Sequence, residues 1–328
     1  MEHIDKGKES SNSDNEVEAT NSPIICGLPD DIFLMCLARI PRKYHSVLKR
    51  SGLCRDKSNE IFCYILDPTS SMRYWKLVDD LPPHISKREG MGFEAVGNKL
   101  FLLGGCSEFL DSTDEVYSYD ASSNCCAQAS SLSTARDHYF LLQKNSYNFA
   151  CEVLDEKLYA IGGGGSNSSY HSWETFDPLT NCWTSQTDPK IVNEIKDSVI
   201  LDGKIYIRCS RYPVTPHVFA VVYEPSSGTW EYADKDIVSG WTGPAVAVDG
   251  TLYVLDQMWL LMLLSPWLTR PSCQLVAVGK SIFIVGINLS TVVVDVGDLG
   301  NEGQVMMGSS IPGLLSDFNV ISCKCLSI

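Results

Sequence analysis

Two stretches decide the fold: Val153-Leu-Asp-Glu-Lys-Leu-Tyr-Ala-Ile-Gly-Gly163 and, a short way on, Phe176-Asp177-Pro-Leu-Thr-Asn-Cys-Trp183. In the first, apolar residues flank the pair Asp155-Glu156, which reads as a two-residue hairpin turn. The residues after the turn alternate like a half-buried strand. In the second, an aromatic residue and an acid precede a polar turn, and a Trp follows it. The acid can close the turn through its side chain, Pro presets the backbone, and the Trp supplies a large plate to bury. Each stretch is an antiparallel hairpin, so the two together predict a four-stranded unit.

The unit recurs along the chain. Ala95–Gly105, Val199–Ile207, Val246–Leu255 and Val276–Gly286 repeat the first pattern, with Gly-Asn, Asp-Gly, Asp-Gly and Gly-Lys at their turns. Tyr223-Glu224…Trp230 repeats the second pattern, and Tyr119-Asp120…Cys126 does so with Cys126 in the place of the Trp. Leu66-Asp67…Trp75 is a looser copy with no hairpin ahead of it. Lys157, Lys204 and Thr251 mark units about 47 residues apart. The unit after Thr251 lacks its second half and carries Met258-Trp-Leu-Leu-Met-Leu-Leu264 instead. Residues 53–328 hold roughly six such units, and radial repetition of four-stranded sheets is a β-propeller. The expected fold is therefore all-β, a propeller of about six blades, some incomplete. The terminal segment Asp317–Ile328 alternates like a strand. The first blade begins with little before Asp67, so residues 318–325 are expected to complete it.

Two segments precede the propeller. Residues 1–22 are rich in acid, Ser and Asn and cannot bury enough apolar surface to offset their ordering entropy. This predicts a disordered acidic tail. Residues 23–52 hold Leu28-Pro-Asp-Asp-Ile-Phe-Leu-Met-Cys-Leu-Ala-Arg-Ile40-Pro41. Pro29 suits a first helical position, Asp30 and Asp31 complement the helix dipole, and Pro41 ends the helix. Ile32, Cys36 and Ile40 share one face. A shorter helical pattern with Tyr44, Val47 and Leu48 follows. Such short helices cannot form a core alone and need a surface to pack on.

Composition narrows the function. The 328 residues carry 26 Lys+Arg against 40 Asp+Glu, a net charge of -14. That balance argues against sequence-independent nucleic-acid binding and against docking on an anionic membrane. The longest apolar run, Met258–Leu264, is too short to span a bilayer. Thirteen scattered Cys without a C-x-x-C, and no leading apolar segment, read as reduced thiols in a cytoplasmic and/or nuclear protein. None of the six His has metal-ligand spacing. Gly162-Gly-Gly-Gly165-Ser166 lacks the Lys and the following helix of a phosphate loop, and reads as a blade turn. Neither a cofactor nor an active site is expected.

The hairpins ending in Gly104-Gly105 or Gly162-Gly163, followed by Tyr119-Asp120 or Phe176-Asp177 and Trp183, resemble the kelch repeat over about 62–296. The stretch from Leu28 to Pro41 resembles the first half of an F-box. In this order they resemble the plant-type F-box/kelch-repeat proteins of the Skp-interacting-partner subgroup. The resemblance implies an F-box that docks on a Skp-type adaptor, and through it on a cullin, within an SCF-type ubiquitin ligase. It also implies a propeller that captures a protein substrate. Leu28, Pro29, Ile32, Leu37 and Ile40 are the matching adaptor-binding positions. The third helix of an F-box is missing: Lys49 leads at once into Arg50-Ser-Gly-Leu-Cys-Arg55. The strand that would start the first blade is also missing from this reading.

Arg88, Arg136, His138, Trp241 and Arg270 each precede an inner-strand signature, in loops that a propeller gathers at one mouth. Arginines there can hold an acidic partner by bidentate pairing. The other reading is that these residues bond between blades and stabilise the ring.

Overall fold

The computed structural model describes residues 49–55, 61–66, 75–78, 81–106, 112–136, 149–163, 172–192, 195–211, 217–255, 273–296, 309–311 and 319–326. All of them fall in one compact unit, Ile40–Ile328. The strands follow one another as β1 (Lys49–Arg55), β2 (Ile61–Leu66) and β3 (Trp75–Leu77); β4 (Gly92–Val96), β5 (Lys99–Leu103), β6 (Val116–Asp120) and β7 (Cys125–Ala129); and β8 (Phe149–Leu154), β9 (Lys157–Gly162), β10 (Trp173–Asp177) and β11 (Cys182–Gln186). Next come β12 (Ile195–Leu201), β13 (Lys204–Arg211), β14 (His217–Glu224) and β15 (Thr229–Tyr232); β16 (Ala245–Val248) and β17 (Thr251–Val254); and β18 (Gln274–Val278), β19 (Ser281–Val285), β20 (Thr291–Asp295) and β21 (Ser309–Ile311). β22 (Asn319–Leu326) ends the series. Two short helices, α1 (Pro83–Ser86) and α2 (Lys235–Gly240), lie in connections between sheets.

These strands make six sheets, five of four strands and one of two among the described residues. The two-stranded sheet is β16–β17, where the second half of the repeat is missing. The inner strands β22, β4, β8, β12, β16 and β18 lie against one another in turn, and β18 lies against β22. The ring is closed. One apolar cluster fills each of its six interfaces. Leu102 and Ile85 belong to the cluster between the first and second sheets, and Phe101 and Phe176 to the next. Trp173 and Trp230 belong to the third, Trp241 to the fourth, Ile282 to the fifth and Val285 to the sixth.

Turn chemistry sets the register. Asp155-Glu156, Asp202-Gly203 and Asp249-Gly250 have positive φ at both positions, the twist that two-residue hairpins favour. In the second hairpins the residue before the acid faces the Trp position: Leu66↔Trp75, Tyr119↔Cys126, Phe176↔Trp183 and Tyr223↔Trp230. Asp120 and Asp177 close their turns by accepting backbone N–H bonds from Ser122 and Leu179.

Closure follows the terminal-strand expectation. β22 pairs antiparallel with β1, from Lys49↔Leu326 to Arg55↔Asn319, and becomes the inner strand of the first sheet. Two expectations are corrected here. Lys49–Gly52 belong to β1 rather than to the helical segment 23–52. The first blade also has its starting strand. The cause is the same in both cases: β1 has β2 on one side and β22 on the other, so ladders on both edges satisfy its backbone. Residues 23–48, the acidic tail and Met258–Leu264 lie outside the described residues.

Candidate functional site

In the sheets β4–β7, β8–β11 and β12–β15 the strands run up and down in chain order, so the tight turns of each fall on one face of the ring. The longer connections fall on the other. They run from the second strand to the third, and from the fourth to the next blade. Longer loops over a rigid sheet scaffold are where recognition residues concentrate. This loop face is the candidate interface.

Gly104 and Gly105 tie its loops together. Gly105 N–H donates to Arg136 O at 2.8 Å and Gly104 N–H to Glu115 O at 2.9 Å. Both glycines have positive φ, and a Cβ on Gly104 would collide with the Arg136 carbonyl. The Gly-Gly signature therefore marks a close crossing of backbones.

Arg136 is wholly buried, and so is Glu174 beneath it. Arg136 Nη2 and Nε donate to Glu174 Oε1 at 2.9 and 3.1 Å, and Nη1 donates to Gly162 O. Glu174 Oε2 accepts from Ser133 N–H at 2.8 Å and from Ser133 Oγ at 2.6 Å. Burial draws the Arg136 pKa below its ordinary value, and Glu174 restores part of it. The backbone of Arg136 holds the second sheet while its side chain holds the third. It acts as a clamp between blades and offers no surface to a partner.

Trp241 plays a similar part between the fourth and fifth sheets. It is 1% exposed, and its Nε1–H donates to Asp197 Oδ2 at 2.8 Å. The same oxygen accepts the Ala245 N–H at 3.0 Å, so Asp197 joins β12 to β16. Arg208 Nη1 donates to Trp241 O at 3.0 Å, and its guanidinium carbon lies 6.0 Å from the indole centroid. Burial pushes the Asp197 carboxyl up to about 6, against the Trp241 bond and the Arg208 charge.

Arg88 reaches solvent more than these two. It pairs with Glu115, and its guanidinium lies 5.8 Å from the Tyr117 centroid. Exposed His84 on α1 meets the Tyr117 hydroxyl through Nε2 at 2.9 Å, its ring edge-on at 5.3 Å. Burial, then Glu115, raises the Tyr117 pKa, while Arg88 lowers it. The structure thus gathers His84, Arg88 and Tyr117 at one place on the loop face. The sequence reading found Arg88 but missed the other two, because neither sits in the repeat signature. His138 and Arg270 lie outside the described residues, as do Leu28, Pro29, Ile32, Leu37 and Ile40.

A second polar set lines the inner strands. Lys324 on β22 pairs with Glu94 on β4 at 2.5 Å, and Glu152 on β8 accepts from Ser198 Oγ on β12 at 2.5 Å. Sequence reasoning missed this set as well. The available signal was Glu94 and Glu152 standing where other hairpins of the repeat carry Val. Among the described residues, no group of three or more His, Cys, Asp or Glu could hold a metal ion.

The kelch motif model matches residues 87–133 and 146–190, the second and third blades. The F-box/kelch-repeat protein SKIP4 of Arabidopsis thaliana is 40% identical over 357 aligned positions, covering 94% of this chain and 96% of that protein. The alignment is longer than the 328-residue chain, so the relative carries internal residues that this chain lacks. The F-box protein AFR of the same plant is 23% identical, covering 75% of this chain and 72% of that protein. The F-box/kelch-repeat protein SKIP30, also from Arabidopsis thaliana, is 25% identical, covering 73% of each. With near-full-length similarity at 40% identity and kelch motifs in its second and third blades, the chain belongs to the F-box/kelch-repeat protein family.

Proposed function

We propose that this chain is the substrate-recognition subunit of an SCF-type, cullin-RING E3 ubiquitin ligase. The observation that carries the reading is the near-full-length similarity to an F-box/kelch-repeat protein. The F-box segment docks on a Skp-type adaptor through Leu28, Pro29, Ile32, Leu37 and Ile40, and the adaptor links it to the cullin. The propeller holds the target, with His84, Arg88 and Tyr117 on the loop face as contact residues. Tyr and Arg are favoured interface anchors. The mechanism is proximity: this chain binds, other subunits transfer ubiquitin, and the work takes place in the cytoplasm and/or nucleus. Co-elution of the purified chain with a Skp-type adaptor and cullin on gel filtration tests it. The proposal requires one complex, and Ile32→Ala/Leu37→Ala must release the chain from it. Separate elution of the unaltered chain refutes it.

One observation favours a second reading. β1 begins at Lys49, so the residues in which a third F-box helix would continue are strand. A chain with only part of the adaptor interface would be a kelch interaction module that binds targets without delivering them.

A further inference from the structure

The inner strands carry a short signature just before their tight turns. It reads Glu94-Ala95-Val96, Glu152-Val153-Leu154, Val199-Ile200-Leu201, Val246-Ala247-Val248 and Val276-Ala277-Val278. The first position is Val on β12, β16 and β18, but Glu on β4 and β8. Val199 and Val276 are buried there, so the position belongs to the packing between blades. A carboxylate in such a place is costly unless it is compensated. Glu94 is nonetheless only 7% exposed.

The compensation comes from the closing strand. Lys324 on β22 is the ion-pair partner of Glu94, at 2.5 Å. Its charge also acts on Glu152, one sheet further round the ring. The two misplaced carboxylates thus lie on the two sheets that follow β22. The first of them, with β4, adjoins β22, the strand with which the far end of the chain shuts the ring. β22 joins its sheet only through β1, and the loop it closes spans nearly the whole chain.

We propose that Lys324 and Glu94 form an ionic latch from the closing strand β22 to its neighbour β4, which keeps β22 seated on β1 and the propeller shut at that seam.

Hydrogen exchange on the full chain tests this, with protection in β1 and β22 read against β9 and β13. Lys324→Met is expected to lower seam protection at least tenfold while sparing β9 and β13. Lys324→Met/Glu94→Val/Glu152→Val, which restores the apolar signature, is expected to recover it. Unchanged seam protection in Lys324→Met, or loss spread evenly over all sheets, overturns the latch. If Lys324→Met does not fold, the triple variant decides: a folded triple variant supports the latch and an unfolded one overturns it.

Discussion

Arg136 shows that residue type and position in a repeat do not reveal which way a side chain turns. Its place ahead of an inner strand suits a mouth arginine, yet Glu174, Ser133 and the Gly162 carbonyl enclose it. Breaking a buried ion pair from one side leaves the other charge stranded. Arg136→Met is therefore expected to cost about 3–5 kcal/mol in denaturant unfolding, and Arg136→Met/Glu174→Leu to recover much of that loss. Equal costs in the single and double variants would contradict the pairing. Asp197 yields a pH-dependent prediction. Its folded pKa of about 6 lies above the ordinary value, so the folded state favours the proton. Its ionisation becomes a cost as pH rises from 4 through 6. Asp197→Asn is spared that cost, so it is expected to gain about 1–2 kcal/mol relative to the unaltered protein over that range. A difference that does not change with pH would count against the burial of this carboxyl.

At the scale of the element, the hairpins were legible because local residues encode them. Asp155-Glu156 and its counterparts specify the turn, and alternation specifies which side is buried. Leu66↔Trp75 and Tyr223↔Trp230 then pair as the spacing required. β1 was not legible. Lys49–Gly52 carry no strand signal of their own, and their partner β22 comes from the other end of the chain. His84 and Tyr117 went unread for a related reason, since helix α1 and strand β6 bring them together from separate connections. Turn strain offers a direct check. Glu156 has φ of +59°, a conformation that suits Gly better than a branched or long side chain. Glu156→Gly is expected to stabilise the chain by about 0.5–1 kcal/mol in urea unfolding. Destabilisation would mean that the Glu156 side chain makes a compensating contact.

At the scale of the whole molecule, length and repeat count foretold a ring of about six blades, and six sheets with a closed set of inner strands are present. What the repeat count did not foretell is how the ring is held at its seam, because Lys324 and Glu94 depart from the repeat. Removing residues 319–328 leaves β1 with an unpaired edge and the inner ring open. The shortened chain is expected to lose its cooperative thermal transition, and retention of a sharp transition would contradict closure by β22. The central claim concerns the ligase, and the affinity of the full chain for a purified Skp-type adaptor tests it most directly. Calorimetry beside a chain with a third F-box helix inserted after Leu48 is the decisive comparison. The account predicts that the natural chain binds and that Leu37→Asp abolishes binding without lowering the melting temperature. Binding by the helix-restored chain alone would contradict it and leave a kelch module that captures targets outside the ligase.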